Sequence, residues 1–284
     1  VLVNQHIVKE TMPGIQPQHA SDLARRAAMT HADMILETKG LTRQFNGFTA
    51  VNGIDLRVRR GTIHALIGPN GAGKTTCFNL LTKFLTPTSG HIFFDGREIT
   101  RAAPAAIARK GVIRSFQISA VFPHLTPVEN VSIALQRPLG VSFSFWKSSA
   151  MLMRLRERAL ELLDEVGLGA CADMKTVELS YGHKRALEIA TTLAMNPVLM
   201  LLDEPTQGMG HEDVDRVTAL IEKVSSGRTI LMVEHNMKMV SSIADTITVL
   251  QRGEILAEGD YAFVSANPLV KEAYMGTENE SLAH

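Results

Sequence analysis

Residues 68–76 read Gly68-Pro69-Asn70-Gly71-Ala72-Gly73-Lys74-Thr75-Thr76, a complete GxxxxGK[ST] phosphate-binding loop. Its residue types carry the chemistry. Glycines let the backbone curl so that successive N–H groups point inward at phosphate oxygens. Lys74 brings a positive charge toward the β- and γ-phosphates of a nucleoside triphosphate, and the Thr75 hydroxyl is placed to ligate Mg²⁺. A helix beginning here adds the partial positive charge of its N-terminus. A second constellation follows at Val198-Leu199-Met200-Leu201-Leu202-Asp203-Glu204, an apolar run ending in two carboxylates. A phosphate loop needs a partner carboxylate to hold Mg²⁺, directly or through water, and Asp203 fits that need. Side chains alternate at a strand end, so Glu204 points elsewhere and is available to polarise an attacking water as general base. His235 follows a third apolar run, in a position to hydrogen-bond the γ-phosphate or that water.

These groups need strands that end together. Thr62–Ile67 is a strand entering the loop, and Cys77–Leu81 continues as a helix. Ile54–Val58 alternates with period two, and His91–Phe94 and Gly111–Phe116 are further strands. Residues 127–136 and 147–167 read as helices. In the second, Leu152, Leu155, Ala159, Leu162, Leu163 and Val166 mark one apolar face. A helix runs from Ser180 to Met195, stopped by Asn196-Pro197. Strand 198–202, helix 211–225, strand 229–233, helix 236–244 and strand 246–250 then alternate. That rhythm predicts an α/β fold with a mostly parallel sheet flanked by helices. Residues 1–33, beginning at Val1 and carrying Pro13, Gly14 and Pro17, read as a flexible extension, which an overlong gene start at a non-ATG codon would account for.

Composition narrows the class. Hydrophobic residues make up 45%, enough for a substantial core, and 29 basic residues balance 29 acidic ones, so bulk charge argues against a nucleic-acid partner. Cys77 and Cys171, the only cysteines, lack metal-site spacing, and Cys77 reads as a small core residue. No apolar run approaches the roughly 18 residues a membrane span requires. A role at a membrane would therefore borrow a partner's spans.

Across residues 34–258 the chain resembles the nucleotide-binding subunits of ABC transporters. Leu179-Ser180-Tyr181-Gly182-His183 stands where that family has LSGGQ, at the head of a helix whose N-terminus suits an anion. Gln117 matches the Q-loop glutamine, a Mg²⁺ and coupling sensor, and Phe45 matches the aromatic that stacks on adenine. Asp203, Glu204 and His235 match the Walker B aspartate, catalytic glutamate and switch histidine. The resemblance implies a P-loop NTPase-type sheet, an N-terminal antiparallel β subdomain, a helical subdomain at about 118–180 and a C-terminal helical tail at 259–284. It also implies ATP and Mg²⁺ as cofactors. Two ATPase subunits, identical or related, would close head to tail, each Ser180 and Gly182 completing its partner's site. The membrane permease would be contacted directly and a solute-binding protein indirectly, from the cytoplasmic face of the membrane. Tyr181 and His183 depart from the signature, and Gly210 stands at the D-loop aspartate position, which leaves communication between the two sites in question.

Finer resemblance, in Ala50–Leu56, Arg114-Ser115-Phe116-Gln117, the tract 138–153 and the tail Asn267–Gly276, points to branched-chain amino acid importer ATPases. Urea and lipopolysaccharide-export ATPases share much of it. Soluble relatives that act on DNA or ribosomes carry two nucleotide domains or a long coiled-coil insertion, and this chain has neither. Ile118, Val121, Phe122, Pro123 and Leu125 form either local core or a groove for a permease coupling helix. Phe143, Phe145 and Trp146 read as packing of the insert, and Met151, Met153, Met237 and Met239 as filler on helix faces.

Overall fold

The computed structural model describes residues 33–115, 121–137 and 149–281. The expectations for Gln117, Ile118, Phe143, Phe145, Trp146 and the extension before Asp33 lie outside them. Two sheets organise the chain. Strands β1 (Met34–Phe45), β2 (Phe48–Ile54), β3 (Arg57–Arg59), β5 (Ser89–Phe94) and β6 (Arg97–Glu98) form an antiparallel sheet in the order β2-β1-β5-β6, with β3 also on β1. Strand β1 turns into β2 through Asn46 and Gly47 at φ 44° and 88°, the two positive values a two-residue hairpin needs.

The second sheet has the order β11-β10-β4-β9-β8-β7. Its members β4 (Ile63–Ile67), β7 (Val112–Arg114), β8 (Leu199–Asp203), β9 (Thr229–Val233) and β10 (Thr246–Gln251) run parallel. β11 (Glu254–Gly259) closes the edge antiparallel, through Arg252-Gly253. The apolar runs are continuous because both faces are covered. Leu66, Leu199, Leu201, Leu231 and Val233 face a core shared with the antiparallel sheet and α1 (Lys74–Leu81). Their neighbours Ala65, Met200, Leu202, Ile230 and Met232 face a second core. Helices α3 (Pro127–Gln136), α4 (Ser149–Glu165), α5 (Tyr181–Ala194) and α6 (His211–Ser225) supply that core's other wall. Short helices α2 (Pro104–Arg109) and α7 (Met237–Ile243) and the tail pair α8 (Tyr261–Ala266) and α9 (Pro268–Ser281) complete the described elements.

Most expected elements stand where the periodicity puts them, and the differences have local causes. Ile54–Val58 alternates in burial but is not one strand. It breaks at Asp55-Leu56, where the Thr38 hydroxyl donates to Ile54 O at 2.7 Å and accepts from Leu56 N at 2.8 Å. On α4, Leu152 is exposed, and Met151 packs on the core from the same turn. Met153 is exposed too, so only Met151, Met237 and Met239 act as filler. Val198 is exposed, and the buried strand begins at Leu199. α2, β6 and β11 have no counterpart in the sequence-based expectation. Cys77 is fully buried, and burial pushes its thiol up to about 12, so it is a core residue.

His64 on β4 is a fully enclosed titratable group of the parallel sheet, 1% exposed. Its Nε2 lies 2.7 Å from Thr248 Oγ1, which in turn donates to Glu258 at 2.8 Å, so the imidazole is the donor in the first pair. Burial lowers its pKa from 6.5 to about 4. Between those values the unfolded chain binds a proton that the fold refuses, so stability falls as pH drops. At pH 5 this linkage is worth about 2 kcal/mol. Urea titrations at pH 7 and pH 5 should show wild type losing that much more than His64→Gln.

Candidate active site

The phosphate loop leaves β4 at Ile67 and is built around backbone that only glycine supplies. Gly68, Gly71 and Gly73 have φ of 150°, 75° and 97°. A Cβ on Gly73 would sit 2.4 Å from Ala50 O and one on Gly68 2.2 Å from Leu250 O, so the loop is wedged against β2 and β10. Pro69 and Thr76 are half-buried, Ala72 is buried, and Asn70, Gly71 and Thr75 are exposed at the mouth. Lys74 opens α1 and folds back over the loop, its Nζ donating to Gly68 O at 2.6 Å and Pro69 O at 2.9 Å. Burial lowers its pKa, and the Glu204 carboxylate opposes that shift. The ammonium and the expected base are thus close enough to interact.

β9 lies between β4 and β8, and all three run parallel. Lys74, His235, Asp203 and Glu204 therefore leave the same edge of the sheet, at the carboxyl ends of three adjacent strands, where open α/β sheets bind ligands. Asp203 ends β8 with 1% exposure. Its Oδ2 pairs with the guanidinium of Arg114 on β7, and its Oδ1 is buried with no hydrogen-bond partner among the described residues. That oxygen suits a hydrated cation beside the phosphate loop. Among the described residues no group of three or more His, Cys, Asp or Glu could hold a metal ion. At Glu204 the backbone leaves strand geometry, so strand alternation does not set its direction. The residue sits at φ 45°, uncommon for this residue type, with its N–H on Val233 O at 2.9 Å. His235, beyond the end of β9, is exposed.

The other expected residues lie further out. Phe45 is partly exposed at the β1–β2 hairpin, with the Arg43 guanidinium 4.5 Å from its ring centroid. Ser180 caps α5, accepting from His183 N at 3.3 Å, and is exposed. A Cβ on Gly182 would lie 2.8 Å from Asp213 Oδ1 on α6, so a side chain there would have to displace that carboxylate. One departure noted in the sequence reaches toward the other. The Tyr181 hydroxyl donates to Gln207 O at 3.2 Å, in the loop that leads to Gly210. Gly210 caps α6 without a side-chain bond, and Glu212 and Asp213 supply the negative charge of the first turn.

Three contributors escaped the sequence reading. Arg114 also donates to Asn79 Oδ1 at 2.6 Å and lies 5.5 Å and 5.6 Å from the ring centroids of Phe78 and Phe84. Arg185 on α5 reaches Pro205 O and Asp203 O at 3.2 Å each. Glu234, between β9 and His235, is fully buried. Each is a charged residue beside a motif, which was the available signal.

A phosphate loop, a buried strand-end aspartate and a following glutamate on one sheet edge, with a capped helix head at 180, are the parts of an ATP-binding cassette. The profile of the family described as "ABC transporter" matches residues 51–207, and that of "Branched-chain amino acid ATP-binding cassette transporter" matches residues 254–280. The chain belongs to the ABC transporter ATP-binding proteins, whose members hydrolyse ATP to drive transport. It is 43% identical over 249 residues to the high-affinity branched-chain amino acid transport ATP-binding protein BraF of Pseudomonas aeruginosa, covering 85% of this chain and 98% of that one. Over the same coverage it is 36% identical to LivG of Escherichia coli, which bears the same description. Among solved structures it is similar to the ADP conformation of MJ1267, an ABC transporter ATP-binding cassette, with TM-score 0.75 and 29% identity over 86% of this chain and 99% of that one.

Removing one partner of a buried ion pair strands the other. Arg114→Met should cost roughly 3–5 kcal/mol, because Asp203 keeps its charge and loses its counterion. Arg114→Met with Asp203→Asn should recover more than half of the loss in urea denaturation. A single-variant penalty under about 1 kcal/mol would show that the pair does not carry this load.

Proposed function

We propose that this chain is the ATP-hydrolysing subunit of an importer for branched-chain amino acids, acting as one of two facing ATPase subunits on a membrane permease. The observation that carries the solute assignment is the match of residues 254–280 to the tail of that transporter group, beside the 43% identity to BraF. No helix among the described residues is long and apolar enough to cross a membrane, so the permease supplies the spans. Peripheral attachment at the cytoplasmic face follows from where ATP is found, and a solute-binding protein would deliver cargo from the opposite side. A urea or lipopolysaccharide transporter is the competing assignment.

The chemistry follows from the site. Lys74 and the loop amides bind the β- and γ-phosphates, and Phe45 offers its open ring face to adenine. Mg²⁺, held by Thr75 and by Asp203 Oδ1 directly or through water, would neutralise phosphate charge, and Gln117, outside the described residues, is the third expected ligand. Glu204 accepts a proton as a water oxygen attacks the γ-phosphorus. The bond from γ-phosphorus to the β-bridging oxygen breaks, and ADP leaves with that electron pair. His235 donates to the γ-phosphate and orients the attack. Ser180 and Gly182 of the facing subunit close the site over the γ-phosphate, so ATP holds the pair together and hydrolysis releases it.

Part of the expected docking groove is accounted for by packing: Val121 is in the core, whereas Phe122 is exposed and Leu125 half-buried. Asn130, itself buried, fixes this loop by accepting from Phe122 N at 2.7 Å and donating to Phe122 O at 3.1 Å. The loop therefore presents Phe122 on a rigid base, as a coupling-helix contact requires.

Glu204→Gln should retain ATP affinity, lose hydrolysis by at least a hundredfold, and elute as an ATP-dependent dimer. Lys74→Ala should instead lose ATP binding in calorimetry. With the permease in vesicles, wild type should drive uptake of leucine, isoleucine and valine. Phe122→Asp with Leu125→Asp should abolish uptake and spare the isolated subunit's ATPase activity. Uptake of urea but not leucine would keep the transporter class and overturn the solute.

A further inference from the structure

Glu234 has no place in the chemistry above, yet the structure commits it fully. It is 0% exposed, and among the described residues no Lys or Arg hydrogen-bonds to it. Its Oε1 accepts the Thr206 amide at 3.0 Å and the Thr206 hydroxyl. Its Oε2 accepts the amides of His235 at 2.7 Å and Asn236 at 2.8 Å. A buried charge is thus satisfied by four local dipoles, two on each oxygen, and the two pairs come from different loops. Thr206 lies two residues beyond Glu204, and His235 is the next residue after Glu234 itself.

We propose that Glu234 is a positioning residue that fixes the general-base loop and the switch-histidine loop to one another. Each loop has a reason to need it. Glu204 leaves β8 in left-handed backbone, a conformation that persists only when its surroundings over-determine it. His235 projects into solvent, and its Nδ1 lies 3.7 Å from Glu234 Oε2, beyond hydrogen-bond reach, so its direction is set through its backbone. Hydrolysis requires both side chains on one γ-phosphate and one water, and displacement of either by about 1 Å is costly. A bond from Glu204 N to Val233 O ties the same two strand ends from the other side. Glutamine cannot replace the carboxylate. Whichever end carries the NH₂ group would face two donors, and one of the two loops would be released.

This inference rests on the roles assigned to Glu204 and His235, and the experiment separates the two. In the full chain, Glu234→Gln should lower kcat for ATP hydrolysis by about 10–100-fold, as loss of a supporting hydrogen-bond partner does at other sites, with KM for ATP within about threefold. Thr206→Val, which deletes only the hydroxyl, should lower kcat by about threefold or more and add little to Glu234→Gln. In the His235→Ala background, Glu234→Gln should cost under about threefold, because residues that act as a unit are not additive. Wild-type kcat in Glu234→Gln overturns the proposal. So does a fall in ATP affinity matching the fall in kcat, which would mean that Glu234 only supports the fold. Losses that multiply through both double variants overturn it as well. Should His235→Ala alone hydrolyse ATP at the wild-type rate, the role of His235 falls, and the Glu234–Thr206 cycle still decides the bracket.

Discussion

The site is organised around one buried carboxylate. Asp203 ends a strand whose five residues are all buried, in a place where a lone negative charge would be expelled or neutralised. Arg114, one strand over, supplies the counterion and is itself held by Asn79 on α1 and by two aromatic rings. Strand β7, strand β8 and the helix of the phosphate loop are therefore joined by a single guanidinium. Because only Oδ2 is engaged among the described residues, the other oxygen keeps its capacity for a cation. A bidentate pair would have engaged both oxygens and removed that capacity. A wholly unpaired aspartate could not have been buried.

The remaining geometry follows from the way the central sheet splits its side chains. Alternate residues of β4, β8 and β9 enter different cores, so each strand is gripped from both sides. One core fastens the sheet to α1 and the antiparallel strands, and the other fastens it to the helices that include α5. The strand ends are consequently stiff, and the functional side chains sit within one or two residues of them. The phosphate loop is further pinned by close approach of backbone to backbone at Gly68 and Gly73, with no room even for a methyl group. In the tail, burial pushes the Tyr274 hydroxyl up to about 12.

What the sequence made legible was local or periodic. The glycine pattern of 68–76 announces its own backbone, and the alternation of apolar strands and amphipathic helices fixes the order of elements. Leu152 misled because a three- or four-residue step tolerates a neighbour, Met151, on the same face. β11 and β6 are short antiparallel edges whose signal lies in the turns Arg252-Gly253 and Asp95-Gly96, not in hydrophobicity. The contributions of Arg114, Arg185 and Glu234 could not be read in advance. Each is a charge whose meaning is its partner, and those partners lie 89, 18 and 28 positions away, at Asp203 and Thr206. Sequence spacing marks a residue that touches phosphate, because phosphate chemistry is shared across proteins. It does not mark a residue that touches another part of the same fold.

Such long-range charges explain how the signature helix can report on the hydrolytic loop. Arg185, one turn into α5, donates to the carbonyls of Asp203 and Pro205, which flank Glu204, while its third bond, to Glu188 at 2.6 Å, anchors it on its own helix. At the start of the same helix, Tyr181 donates to the Gln207 carbonyl. The segment 203–207 is therefore held from α5 at both ends and from Glu234 at Thr206 between them. A displacement of α5, whose head carries Ser180 and Gly182, cannot leave this segment still, because three carbonyls would lose their donors. If two subunits pair head to tail as proposed, a partner's nucleotide at Ser180 would be felt at Glu204 through hydrogen bonds already present in one chain. That route does not need the aspartate which Gly210 replaces.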